Sequence, residues 1–228
     1  MYADIVSEVM SLRNESRVLI LSSFFKNAPG QYGYGDKFLG IYVPEIRAVA
    51  KQYKDASLQD IEQLLHHEYH EIRLLGLLIL VQKYRDEPLK IYDFYMSHLH
   101  GVNNWDLVDL TADKIVGKHL LDKPRDVLYK LSQSKNLWER RIAIVSTFAF
   151  IRNNDFEDTL KLSEMLMNDD HELLHKACGW MLREVGKRDE KLLLKFLESN
   201  ASKMPSIMRS YATERLSAEQ KLRFKKKK

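Results

Sequence analysis

One cysteine, Cys178, stands in 228 residues. A lone thiol cannot build an internal disulfide framework and suits a reducing compartment, so a cytoplasmic location is expected. No apolar run approaches the stretch of about 20 residues that a membrane helix needs, so no membrane partner is expected. The opening Met1-Tyr2-Ala3-Asp4 has no basic stretch ahead of an apolar one, which argues against a secretory leader. Glycine and proline are scarce, 9 and 5 residues, and alternating β-patterns are nearly missing. Excess charge is small as well: the net charge is +4, and Lys225 to Lys228 account for all of it. A polyanionic partner would therefore have to be held by positive charge segregated onto one face, with the lysine tail a disordered, non-specific arm at most.

What is present is helical periodicity. Apolar residues recur at i, i+3 and i+4, as in Ile72, Leu75, Gly76, Ile79, Leu80 and in Val127, Leu128, Leu131. Boundary signals agree with about a dozen helices: Asn104 and Asn136 are placed as N-caps, and Pro124 sits where a first turn tolerates it. Four segments look related, namely Glu71 to Gly76, Trp105 to Ala112, Trp138 to Ala143 and Leu173 to Trp180. Their small residues Gly76, Ala112, Ala143 and Gly179 are 36, 31 and 36 positions apart. That period predicts two-helix units, each small residue allowing close helix approach. The expected fold is all-α, a HEAT-like or armadillo-type solenoid of antiparallel helix pairs with a concave basic face. We expect a single domain over residues 1–224, followed by the basic tail 225–228. The N-terminal region breaks the rhythm, because Asn27 to Lys37 reads as a turn-rich surface loop.

Several residues carry chemistry. In Asn103-Asn104-Trp105-Asp106-Leu107-Val108-Asp109, spacing stacks the Trp105 indole and the Asp109 carboxylate on one helix face. A flat ring beside an acid suits nucleic-acid chemistry. Asp106 is accounted for as a first-turn acid favoured by the helix dipole, whereas Asp109 lies a turn deeper; the plainer role for it is a salt bridge to Lys114 or Arg73. Trp180 follows Gly179 among the cationic Lys176, Arg183, Lys187 and Arg188. The plainer role for both tryptophans is core packing. Arg140 and Arg141 diverge by about 100° on a helix, so one suits a structural ion pair and the other a phosphate clamp.

Other clusters are less telling. His66-His67-Glu68-Tyr69-His70-Glu71 lacks the His-Glu-x-x-His zinc spacing and is best read as a charged interhelical turn. The glycines at 30, 33, 35 and 40 have no preceding strand and no following Gly-Lys-Ser/Thr, so they do not form a nucleotide-binding fingerprint. No metal or cofactor is expected. Cys178, among apolar helix positions, reads as a core residue.

Taken in order, Phe38-Leu39-Gly40-Ile41 with Pro44-Glu45-x-Arg47, Trp105-Asp106-x-x-Asp109, Trp138-x-x-Arg141-x-Ala143-Ile144 and Gly179-Trp180-x-Leu182-Arg183-Glu184 resemble the AlkD family of bacterial DNA alkylation-repair glycosylases. The resemblance covers nearly the whole chain. It implies an all-helical HEAT-like enzyme that removes alkylated purines such as 3-methyladenine and 7-methylguanine from duplex DNA; a monomer wrapping the DNA is the simplest expectation. It makes Asp109 the catalytic carboxylate, Trp105 and Trp180 aromatic walls against the lesion's backbone and sugar, and Arg141 a phosphate ligand. Phe24 falls where the family carries another aromatic, and Arg140, Lys176 and Arg183 are expected to add DNA contacts. Two other readings remain: a DNA-binding solenoid without catalysis, in which Asp109→Asn changes nothing, and a peptide-binding scaffold, whose DNA affinity would lack strong salt dependence.

Overall fold

A computed structural model describes residues 1–225 of the chain. It is helical throughout, with no strand among the described residues beyond an isolated bridge between Lys37 and Tyr69. The all-α, solenoid-like expectation holds. The expected disordered tail lies, from residue 226 on, outside the described residues. The chain divides into two compact units, Met1–Thr111 and a second that begins at Ala112.

The first unit contains α1 (Tyr2–Ser11), α2 (Glu15–Phe24), α3 (Val43–Gln52), α4 (Leu58–Leu65), α5 (His70–Lys83), α6 (Pro88–Ser97) and α7 (Trp105–Asp109). Its axis is α5, whose residues from His70 to Leu80 are all buried. Helices α3 and α4 pack on it through Ile46, Val49, Ile61 and Leu64, which place apolar side chains at helical spacing on one face. A Cβ on Gly76 would lie 3.1 Å from that of Leu64, so the small residue does permit the close approach of α4 to α5. Helix α4 starts at a capping box in which Ser57 and Asp60 exchange hydrogen bonds at 3.1 and 3.2 Å.

The second unit contains α8 (Asp126–Ser132), α9 (Leu137–Ser146), α10 (Phe148–Arg152), α11 (Glu157–Met165), α12 (Glu172–Gly186), α13 (Glu190–Asn200), α14 (Ser206–Ala212) and α15 (Ala218–Arg223), preceded by a π-turn at Asp113–Gly117. Helix α12 is its centre, touching α9, α11, α13 and α14. Asn136 caps α9, its side-chain oxygen accepting the Trp138 N–H at 2.9 Å. Pro124 lies ahead of α8 instead of in its first turn, because the helix begins only after Arg125, whose guanidinium is drawn to Asp155 and Asp158 at 2.7 and 2.6 Å. Cys178 is fully buried in α12, as read from sequence, and burial pushes its thiol up to about 12.

Candidate active site

An apolar cavity of about 410 Å³ opens in the first unit. Phe24, Phe25, Phe38, Ile41 and Trp105 form its walls, and Asp106 and Asp109 reach it from α7. The sequence places these residues for identifiable reasons. Asn104 adopts an extended conformation and its side-chain oxygen accepts the Trp105 N–H at 2.8 Å, which starts α7 at the tryptophan. Trp105 is therefore a first-turn residue and only half-buried, with Asp109 one turn further and also half-buried. The Trp105 ring stacks on Phe25 with centroids 5.4 Å apart, and Phe25 stacks on Phe38 at 5.2 Å. Phe24, exposed at the end of α2, meets the Trp105 ring edge-on at 5.6 Å. Three of the residues singled out from sequence, Phe24, Trp105 and Asp109, are thus brought together.

Beneath the rings lies a polar network that sequence reasoning missed. The first-turn acid Asp106 is 4% exposed, and its Oδ2 lies 2.9 Å from Nε2 of His70. Its other oxygen, Oδ1, is buried without a hydrogen-bond partner in the protein. The helix-dipole account of Asp106 is therefore incomplete, because the residue's main interaction is tertiary. Nδ1 of His70 faces Oδ2 of Asp36 at 3.3 Å. Arg73 donates to Asp36 Oδ1 at 2.6 Å and to Asn103 at 3.0 Å, and Asn103 donates to Asp36 at 2.9 Å. Arg73 is thereby assigned to Asp36. Burial alone would raise the Asp36 pKa, but the His70 hydrogen bond and the charges of Arg73 and His70 hold it below the usual carboxylate range.

The histidine-rich segment divides in two. His66 ends α4, where its ring meets that of His100 with Nε2 atoms 2.8 Å apart, and His67 and Glu68 form the turn. His70 and Glu71 instead open α5 and point inward. Only the first half is the charged turn expected. The loop from Asn27 to Lys37 likewise contributes one buried anchor, Asp36, from an otherwise mostly exposed stretch. The available signal was the pairing of a carboxylate at the loop's end with a histidine and an arginine three residues apart, which one face of a helix presents together.

The remaining candidates belong to the second unit. Trp180 is half-exposed and packs beside Phe148 at 5.7 Å. Arg140 is the structural member of the arginine pair: its guanidinium binds Asp169 at 2.7 Å and the carbonyls of Ser134 and Lys135. Arg141 is 5% exposed and donates to the carbonyl of Leu173. Lys176 pairs with exposed Glu172, and Arg183 with exposed Glu214.

The chain belongs to the family of DNA alkylation repair enzymes, whose model matches residues 5–216. A search of curated proteins found no match. Among solved structures, the fold is similar to that of a protein described as a predicted DNA alkylation repair enzyme from Enterococcus faecalis. The two are 18% identical, with a TM-score of 0.75, over 90% of this chain and 97% of the other. No helix among the described residues is long and apolar enough to cross a membrane.

Proposed function

We propose that this protein is a monofunctional DNA glycosylase that hydrolyses the N-glycosidic bond of cationic alkylated purines, 3-methyladenine and 7-methylguanine, in duplex DNA. The observation that carries this reading is the meeting of Trp105, Phe24 and the Asp109 carboxylate at one cavity. Alkylation at N3 or N7 gives the purine a positive charge, so it is already a competent leaving group. As the C1′–N bond breaks, its electron pair goes to the base, which departs neutral, and positive charge develops on the deoxyribose. A carboxylate and electron-rich rings beside that sugar stabilise the cation more than the ground state, which is the condition for catalysis. Water then adds to C1′ and gives its proton to Asp109.

In the second unit, Trp180 supplies a further aromatic surface. Lys176 and Arg183 can exchange exposed carboxylate partners for phosphate, at small cost because exposed ion pairs contribute about 1 kcal/mol or less. Arg140 is charge-compensated by Asp169 and holds the fold, so of the pair it is Arg141 that is proposed to attract a phosphate.

The test is release of free base from duplex DNA carrying 7-methylguanine, by wild type and Asp109→Asn. Wild type should release base, and the variant should be slower by about 100-fold or more while retaining DNA affinity. If wild type binds DNA with strong salt dependence yet releases nothing, the protein is a DNA-binding member without this activity.

A further inference from the structure

His70 is 1% exposed, and each of its ring nitrogens faces a carboxylate, Asp106 at 2.9 Å and Asp36 at 3.3 Å. A neutral imidazole has one N–H and could serve one of them, leaving a lone pair against the other; only the doubly protonated ring satisfies both. The charges balance locally, since His70 and Arg73 oppose Asp36 and Asp106 within one buried cluster. The same imidazole packs against Phe25 at 4.7 Å, the ring on which Trp105 is stacked, and against Phe38 at 5.1 Å, which stacks on Phe25 in turn. One side chain therefore joins three segments: the 27–37 loop through Asp36, α5 through itself, and the first turn of α7 through Asp106.

We propose that His70 is a positioning residue for the cavity: bound to Asp36 and Asp106 at once and packed under Phe25 and Phe38, it sets the place of the Trp105 ring and of the Asp109 carboxylate. Asp106 follows Trp105 directly and precedes Asp109 by less than one helical turn, so a shift of its carboxylate moves both neighbours. The groups facing His70 are Asp36 from the loop, Asp106 from α7 and, through Asp36, Arg73 of α5; its other neighbours, Phe25 and Phe38, are uncharged. Burial opposes protonation of the ring, but the charge and hydrogen bond of Asp106, reinforced by Asp36, raise its pKa to about 9. Above that value the ring keeps one N–H and one of the two carboxylates loses its donor, so the 27–37 loop and α7 are no longer held together through His70.

The rate part of this inference rests on the glycosylase reading; the structural part does not. The test follows the Trp105 indole N–H signal by NMR from pH 6 to 10, assigned with Trp105→Phe, together with single-turnover release of 7-methylguanine over the same range. Wild type should show the indole signal and the rate changing together near pH 9. In His70→Gln the indole signal should no longer titrate there, and release at pH 7 should fall by about ten- to a hundredfold, as for a misplaced reacting group, with DNA affinity unchanged. A wild-type indole signal that stays put through pH 9 overturns the proposal without any variant, as does full activity in His70→Gln. Titration of the signal without base release from wild type would instead sink the glycosylase reading and leave the positioning role standing.

Discussion

The Glu71 carboxylate, in the first turn of α5, accepts the backbone N–H of Leu39 at 2.9 Å, and it also takes those of Gly40 at 2.9 Å and Ile41 at 3.3 Å. Phe38 to Ile41 runs past α5 without a strand or helix to receive its amides, and one buried side chain serves in their place. Gly40 holds φ +81 there, against the carbonyl of Asn14, so the segment has little freedom to rearrange. Glu71→Gln removes the charge and directs an N–H₂ group at backbone donors. We expect it to destabilise the protein by about 3 kcal/mol, on the scale of a charge-assisted hydrogen bond lost from the interior. Denaturant unfolding reads this directly, and a variant as stable as wild type would show that the segment is held otherwise.

Stability should also depend on pH through His70. Its pKa is near 9 in the fold against 6.5 in the unfolded chain. Below 6.5 both states hold the proton and the stabilisation is complete; between 6.5 and 9 the unfolded state has released it and the folded state has not, so stability falls as pH rises. The loss amounts to about 3 kcal/mol by pH 9, each pKa unit being about 1.4 kcal/mol. Guanidinium unfolding at pH 6 and pH 9 should show this slope in wild type and lose it in His70→Gln. An unchanged slope in the variant would assign it to another group.

The parts of this molecule that were legible beforehand are those governed by local rules. Helical periodicity, the caps at Asn104 and Asn136, the burial of Cys178 and the close approach at Gly76 all follow from neighbours a few positions away. The Trp105 and Asp109 pairing was legible for the same reason, since one short helix carries both. The support beneath them was not. Asp36, His70, Arg73 and Asp106 are drawn from three segments; the spacing of His70 and Arg73 puts those two on one helix face, but no local rule shows that Asp36 and Asp106 meet them there. Phe25 and Phe38 were equally silent, because their value lies in stacking on each other, with Trp105 stacked on Phe25, a relation created by tertiary packing.

Gly179 provides a test of the packing in the second unit. An alanine there would gain about 1 kcal/mol in helix propensity over glycine, so a loosely packed α12 should be stabilised by Gly179→Ala. The structure implies the reverse. The new Cβ would fall 2.5 Å from the Met208 carbonyl oxygen and 2.5 Å from the Tyr211 Cβ, both on α14. Neither atom is the end of a flexible side chain, so α12 and α14 must move apart along the contact that organises the unit. Overpacking of this kind costs about 1–3 kcal/mol or more, which exceeds the propensity gain. Gly30→Ala makes a useful comparison, because its surroundings are open but its φ of +80 disfavours a side chain, at a cost of about 1 kcal/mol. Thermal unfolding should place Gly179→Ala below wild type despite the better helix former, and a raised Tm would mean that α14 does not sit this close to α12.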